Sequence, residues 1–224
     1  EPVAGRSASA RIGAFQRVGR ITATLGEVKN RADVVVFWGA DPVGTHPRHW
    51  ERFSVEPHGR FVPEGRQGRT VIVVDHERTA TFERADLDLQ VDREKAFATF
   101  WTLRALVQGK MLDTGRVQRD TGLSLESLNR LVQRLTAARY GALFLGGRLL
   151  DGTMEMMEAV SLLVRDLNRH TRFVVLGMGE PGNVQGAEAA ITWQTGFPSS
   201  VDLASGFPRS LPGTTSAETR LVRG

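Results

Sequence analysis

Short apolar runs, rich in β-branched residues and bounded by glycine or polar residues, recur along the chain. Runs of this kind are typical of strands that are buried on both faces of a parallel sheet. They predict four buried strands, at residues 34–38, 70–74, 141–145 and 171–176. Residues 85–91 alternate between apolar and polar side chains, which predicts a further short strand.

Between these runs, apolar residues recur at spacings of three and four, which indicates helices with one buried face. Ser124 and Thr153 are placed as N-caps, since their hydroxyl groups can accept hydrogen bonds from a first helical turn. The helices predicted in this way lie at residues 26–32, 93–108, 127–139 and 153–169.

The alternation of strands and helices predicts a doubly wound α/β fold with right-handed crossovers. Residues 46–68 and 193–213 are rich in glycine and proline and are interpreted as irregular. We divide the chain into a first α/β unit, residues 1–92, and a second unit, residues 93–224. Because the sequence lacks an initiator methionine, we expect a processed, trimmed or incomplete chain.

The loop after Trp38 is the first candidate for a functional site, because ligands bind beyond the carboxyl ends of parallel strands. Two histidines three residues apart could ligate a metal on a helix, but the neighbouring proline and glycine favour a loop. No third ligand stands at a familiar spacing. We therefore expect a structural or subunit-contact role, with the arginine paired to a carboxylate and the tryptophan buried. The residues concerned are His46, Arg48, His49 and Trp50.

A glycine-rich segment follows the predicted strand at residues 171–176 and matches G-x-G-x-x-G at Gly177, Gly179 and Gly182. This pattern suits a dinucleotide site only between a strand and a helix. Pro181 interrupts it, and the residues that follow favour a helix poorly. A nucleotide-binding domain therefore stays open as an alternative.

The composition excludes several kinds of site. The 224 residues include no cysteine, which excludes disulfides, thiolate-held iron–sulfur clusters and cysteine-bound zinc, molybdenum or tungsten. The net charge is only +4 and the arginines are scattered, so no nucleic-acid surface is expected. With no signal peptide and no apolar run of about 20 residues, we expect a cytoplasmic protein without a membrane span.

Several segments, in order, resemble the B subunit of formylmethanofuran dehydrogenase, and most closely the branch from the bacterial formyltransferase/hydrolase complex. The resemblance extends from about residue 14 to residue 217, and its most distinctive pieces are GEVKNRAD, HPRH and TWQTG. It implies a molybdopterin-oxidoreductase type of fold, whose active members bind a molybdenum or tungsten pterin and a cluster. The cluster-binding N-terminal part is missing from this sequence.

Where the family has functional residues, this chain departs from it. The resemblance places the Cys-His pair of active members, whose cysteine binds the metal, at Ser7 and Ala8. It places an Arg-Gly-His run, close to the metal in those members, at Gly179-Glu180-Pro181. We therefore expect no catalytic residue, no cofactor and no metal. A vestigial cleft is expected at Gly39, Asp41, Asp75 and Gly177.

The resemblance implies a role as a non-redox scaffold in a complex that carries out one-carbon oxidation in methylotrophs. The partners implied are an A subunit similar to amidohydrolases, a C subunit, and a D subunit similar to formyltransferases. Such a complex binds methanofuran and converts formyl-tetrahydromethanopterin through formyl-methanofuran to formate. The alternative is a catalytic dehydrogenase subunit with a molybdenum or tungsten pterin, for which Ser7 is the remaining ligand.

Overall fold

A computed structural model describes residues 5–150, 153–179 and 183–211. At its centre lies a parallel sheet in the spatial order β3-β2-β1-β4-β5. The order reverses between β1 and β4, so the predicted doubly wound α/β fold is confirmed. The strands are β1 (Val34–Trp38), β2 (Thr70–Asp75), β3 (Leu87–Gln90), β4 (Tyr140–Gly146) and β5 (Arg172–Met178). A short antiparallel pair, β6 (Val201–Asp202) and β7 (Arg209–Ser210), lies outside this sheet.

Helices cover both faces of the sheet, which explains why β1 and β4 are buried along their whole length. The helices are α1 (Gly5–Val18), α2 (Leu25–Arg31), α3 (Pro42–Thr45), α4 (Pro47–His49), α5 (Ala96–Val107), α6 (Thr114–Thr121), α7 (Leu125–Thr136), α8 (Gly147–Leu150), α9 (Met154–Leu167) and α10 (Val184–Thr195). A π-helical turn spans Trp50–Ser54, and 3₁₀ turns span Gly65–Gly68, Phe82–Arg84 and Arg93–Lys95.

The two faces of the sheet differ in what covers them. Alternate residues of β1 point to opposite sides, so Val36 joins one core and Phe37 the other. The first core lies under the long helices α5, α7 and α9. The second lies under α2 and the segment that contains Trp50 and Val55, which forms a thinner layer.

The structure confirms both predicted N-caps. The hydroxyl of Ser124 accepts a hydrogen bond from the Ser127 amide at 3.1 Å, and that of Thr153 accepts one from the Met156 amide at 3.3 Å.

Three helices of eight or more residues were missed, in addition to the short helices α3, α4 and α8. Small residues give α1 little periodicity, yet they let it approach α9 closely: a Cβ on Gly13 would lie 2.6 Å from the Met154 sulfur. The polar helix α6 carries ordinary end signals, a capping Asp113 and a left-handed Gly122. Helix α10 follows the glycine-rich segment, with Asn183 as its cap, against the expectation that these residues form a poor helix.

Strands on either side of residue 92 belong to the same sheet, since β1 pairs with β4 along its full length. Within the described ranges, no helix is both long and apolar enough to cross a membrane.

Candidate functional site

The segment after β1 is helical rather than the predicted loop. Asp41 caps α3: its carboxylate accepts hydrogen bonds from the Gly44 amide at 3.3 Å and from the Thr81 amide at 3.0 Å. The Thr81 hydroxyl donates to the same oxygen at 2.6 Å. Because Thr81 follows β2, Asp41 ties the ends of two neighbouring strands together. This side chain therefore has a structural role in the described structure.

The backbones are close together at the point where the strand order reverses. A Cβ added to Gly146 would lie 1.5 Å from the carbonyl oxygen of Gly39, so the backbones after β1 and β4 touch. Gly39 has a φ of +60°, which few side chains tolerate. A Cβ there would also lie 3.1 Å from the Leu149 side chain. Ligands of doubly wound folds commonly bind at this point, and here both backbones and the Leu149 side chain lie close to one another.

His46 and Arg48 lie at the surface of the helical segment. The His46 ring is 2.8 Å from the Thr45 hydroxyl. Arg48 is exposed and makes no ion pair within the described part of the chain. The predicted carboxylate pair of Arg48 is therefore not formed among the residues that the structure describes. The prediction that it contacts another subunit stays a prediction.

His49 points inward. Its Nδ1 lies 3.1 Å from the Ser54 hydroxyl, which donates in turn to the His49 carbonyl at 3.1 Å. Its ring meets the Phe144 ring edge-on at 4.7 Å. Burial, followed by the charge of nearby His46, lowers the pKa of His49 to about 4. The imidazole is therefore neutral at pH 7 and packs against the core.

Trp50 is buried, at 3 % exposure, as predicted. Its ring stacks on Phe37 at 5.8 Å, and its indole nitrogen donates to the Glu56 carboxylate at 3.0 Å. The tryptophan thereby fastens the helical segment to the central strand.

Asp75, at the end of β2, also makes local contacts. Its carboxylate accepts hydrogen bonds from the backbone amide and the ring of His76, both at 2.7 Å. The other ring nitrogen of His76 is 2.8 Å from Glu77. Asp75 thus shapes the turn after its strand.

A cavity of about 620 Å³ lies further along the same sheet edge, between α1, α9, α10 and the end of β5. Gly177 and Gly179 line it, together with apolar side chains such as Phe15. Arg11 crosses its rim to Glu188 at 2.6 Å. Thus Gly177 lines this cavity, whereas Gly39 and Asp41 are not among its lining residues.

The remaining family positions lie at the ends of this region. Ser7 and Ala8 fall in the first turn of α1. Gly179 is exposed after β5, and a Cβ there would meet no atom within 4 Å. Glu180 and Pro181 lie outside the described residues.

Metal ligands do not converge in the described ranges, which contain no group of three His, Asp or Glu side chains suited to an ion. Together with the absence of cysteine, this means that the residues described do not fit a thiolate-held metal.

Sequence reasoning missed Arg69, which is 3 % exposed. Its guanidinium donates to backbone carbonyls from α2 and from the segment after the π-helical turn. No local pattern marks it, because its partners are 12 to 40 residues away.

Fold and geometry together define a doubly wound parallel α/β protein with an apolar cavity at the carboxyl edge of its sheet. The chain is 40 % identical over 213 residues to the B subunit of the tungsten-containing formylmethanofuran dehydrogenase 2 of Methanocaldococcus jannaschii, covering 94 % of this chain and 48 % of that protein. It is 28 % identical over 217 residues to the B subunit of the formyltransferase/hydrolase complex Fhc of Methylorubrum extorquens, covering 88 % and 49 %.

Among solved structures, the formyltransferase/hydrolase complex FhcABCD from Methylorubrum extorquens, in complex with methylofuran, matches with a TM-score of 0.79 and 21 % identity. This match covers 100 % of the chain and 58 % of the matched chain. No protein-family model matches. The predicted resemblance is confirmed: this chain is a homologue of the B subunits of formylmethanofuran dehydrogenase and of Fhc over the segment they share. It spans about half the length of these relatives.

Proposed function

We propose that this chain is a non-redox subunit of a formyltransferase/hydrolase complex, in which it holds the catalytic subunits together. The proposed partners are an amidohydrolase-like A subunit, a C subunit and a formyltransferase-like D subunit. The complex would bind a methanofuran-type carrier and convert formyl-tetrahydromethanopterin through formyl-methanofuran to formate. The matched complex with methylofuran and the B-subunit relative from the same bacterium support this assignment.

The observation that carries the proposal is the loss of the metal ligand. The sequence contains no cysteine, and Ser7 and Ala8 occupy the positions of the family's Cys-His pair. The resemblance places Gly179 where active members have an arginine, and a Cβ built on it would meet no described atom within 4 Å. The close approach of the Gly39 and Gly146 backbones adds a narrow switch point between β1 and β4. These features suit a chain that contributes shape rather than electron transfer.

The second candidate is a dehydrogenase subunit that binds a tungsten or molybdenum pterin. The 40 % identity to a tungsten-containing dehydrogenase favours it. It would require Ser7 to ligate the metal through a hydroxyl group in place of a thiolate.

Metal analysis separates the two candidates. The chain would be produced in a bacterium that makes molybdenum and tungsten pterins, purified without chelators, and measured by mass spectrometry. We expect neither metal above the background of an unrelated protein. Near-stoichiometric tungsten or molybdenum in the wild-type chain would overturn the proposal in favour of the dehydrogenase.

A gain-of-ligand variant makes this test sharper. Ser7→Cys returns a thiol to the family position, and Ser9→Cys, in the same helix, is the matched control. We expect both variants to stay free of metal, because Ala8 and Gly179 still lack the family's polar groups. Metal in Ser7→Cys alone would show that the cleft has stayed competent for the cofactor.

Activity is tested in the complex reconstituted with its A, C and D subunits. Ser7→Ala should leave the rate of formate release unchanged, since no step is assigned to that hydroxyl. Omitting the chain should prevent co-elution of the catalytic subunits in size-exclusion chromatography. A complex that assembles and turns over fully without this chain would exclude the scaffolding role.

A further inference from the structure

A second cleft, of about 580 Å³, opens at the amino-terminal edge of the sheet, whereas Gly179 lies beyond the carboxyl end of β5. It lies on the face that carries the thinner layer. Helix α2, the loop around Phe61 and the first residues of β4 and β5 form its walls. The side chains relevant here are Glu27, Arg31, Phe61, Arg139, Tyr140 and Arg172.

The fold places these groups side by side. Tyr140 and Arg172 are register partners on adjacent parallel strands, so their side chains leave the same face of the sheet. Glu27 and Arg31 are four residues apart on α2 and therefore share one helix face. Tyr140 is buried at the floor, at 6 % exposure, whereas Phe61 on the rim is 47 % exposed.

Both carboxylates near the cleft already have partners. The Tyr140 hydroxyl donates to Glu27, and burial together with this carboxylate raises the pKa of the phenol to about 12. Asp33 is 3.1 Å from the Arg139 guanidinium and also accepts the Tyr140 amide at 2.9 Å. Glu27 and Asp33, the acidic groups at this edge of the sheet, therefore already have partners within the chain.

Two guanidinium groups of the cleft, by contrast, are not paired with these carboxylates. Arg31 lies over the Phe61 ring at 4.8 Å, with Arg60 at 5.6 Å from the same ring. Neither Arg31 nor Arg172 has a carboxylate partner within the described part of the chain. Both are exposed on the rim. The cleft thus combines an aromatic floor with unpaired planar cations.

We propose that this cleft docks an acidic segment of a partner subunit, whose carboxylates pair with Arg31 and Arg172. Arginine and aromatic side chains dominate the energetic centres of protein interfaces, and a guanidinium can bind a carboxylate through two parallel hydrogen bonds. Phe61 and Tyr140 offer apolar area to the segment between its charges. This proposal rests on the proposed function, since it assumes that the chain works within a complex.

Tyr140 allows a direct test, because it is the sole tyrosine in the sequence. Tyrosine labelled with ¹³C at Cζ gives a single NMR signal from the floor of the cleft. A hexaglutamate peptide is titrated into the full chain, with hexaglutamine and inorganic phosphate as separate probes. We expect hexaglutamate to shift the signal saturably and the other two probes to leave it in place. Added salt should weaken the effect.

The variant Arg31→Gln/Arg172→Gln should bind hexaglutamate about tenfold more weakly, from two exposed charge pairs of up to about 0.7 kcal/mol each. The matched control is Arg119→Gln, an exposed arginine on α6 that lines no part of the cleft. It should bind like the wild type. Circular dichroism spectra should show that all three proteins are folded.

The proposal is overturned if hexaglutamate leaves the Tyr140 signal unchanged, or if both variants weaken binding equally. An equal response to phosphate would identify a general anion site instead of a peptide site. If hexaglutamate does not bind but the complex still assembles, only the proposal about the cleft is rejected. If the complex does not assemble but hexaglutamate still binds, the scaffold role is rejected and the proposed peptide site in the cleft is retained.

Discussion

Arg69 provides the sharpest test of how the thinner layer is held to the sheet. Its Nε donates to the Ala32 carbonyl at 3.1 Å and its Nη2 to the Lys29 carbonyl at 2.7 Å, both at the end of α2. Its Nη1 donates to the carbonyls of Val55 and Pro57, at 2.9 and 2.7 Å. One buried cation therefore joins the carboxyl end of a helix, where positive charge is favoured, to the segment beside it.

Replacing Arg69 by methionine keeps much of its volume but leaves four carbonyls without their donor. Each unsatisfied buried acceptor costs about 1–3 kcal/mol, whereas the removed charge no longer needs desolvation. The balance is a loss of about 3–5 kcal/mol in the free energy of unfolding. In a chain of this length, about 2–4 °C is lost for each kcal/mol, so the melting temperature should fall by roughly 10 °C.

The assay is thermal unfolding followed by circular dichroism, supported by urea titration. Arg69→Lys should show an intermediate loss, since an ammonium group cannot reach carbonyls on both sides as a guanidinium fork does. The matched control is Arg119→Met, which removes an exposed arginine from α6 and should change the melting temperature little. A melting temperature for Arg69→Met equal to that of the control would refute this reasoning.

Three further predictions concern the helical segment after β1. Trp50→Ala should cost about 3–5 kcal/mol in urea unfolding, because the ring is buried. Arg48→Ala should keep the wild-type melting temperature but weaken assembly with partner subunits in size-exclusion chromatography; intact assembly would contradict the contact role. Because burial lowers the folded-state pKa of His49 to about 4, the unfolded chain binds its proton first. Stability should therefore fall from about pH 6.5 towards pH 4, by up to about 3 kcal/mol, and His49→Gln should flatten that fall in urea titrations.

The strands were predictable because their signal is local. Four continuous apolar runs coincide with β1, β2, β4 and β5, since a strand covered on both faces needs no polar residue. The caps Ser124 and Thr153 were predictable for the same reason, as the donors they meet are three residues away.

The helical nature of the segment at Pro47–Ser54 was not predictable in this way. Its proline, Pro47, stands at the first position of α4. An amide hydrogen at this position has no partner within the helix, so a proline there does not destabilise it. The residue that we interpreted as favouring a loop therefore begins a helix. Helix α1 escaped prediction because its packing depends on small residues against α9 rather than on an apolar stripe.

The polar contacts that shape the site were beyond sequence reasoning because they join distant residues. The Asp41 carboxylate meets Thr81, which is 40 residues away, and Asp33 meets Arg139 across 106 residues. No spacing in the sequence predicts either pair, because each contact forms only when the parallel strands have brought their ends together. The capping of α3 by Asp41 is local by contrast, since the Gly44 amide is three residues away.

The positions shared with the family thus fall into two groups with different physical roles. The residues that this chain keeps, such as Asp41 and Trp50, are held by hydrogen bonds and packing within the chain itself. Gly179, at which it departs, follows β5, and a Cβ there would meet no described atom within 4 Å. Loss of a cofactor removes the need for its ligands but leaves the demands of folding unchanged. A chain that no longer binds a cofactor but must still fold would keep the first group of residues and lose the second. For this reason we favour a structural role over a redox role.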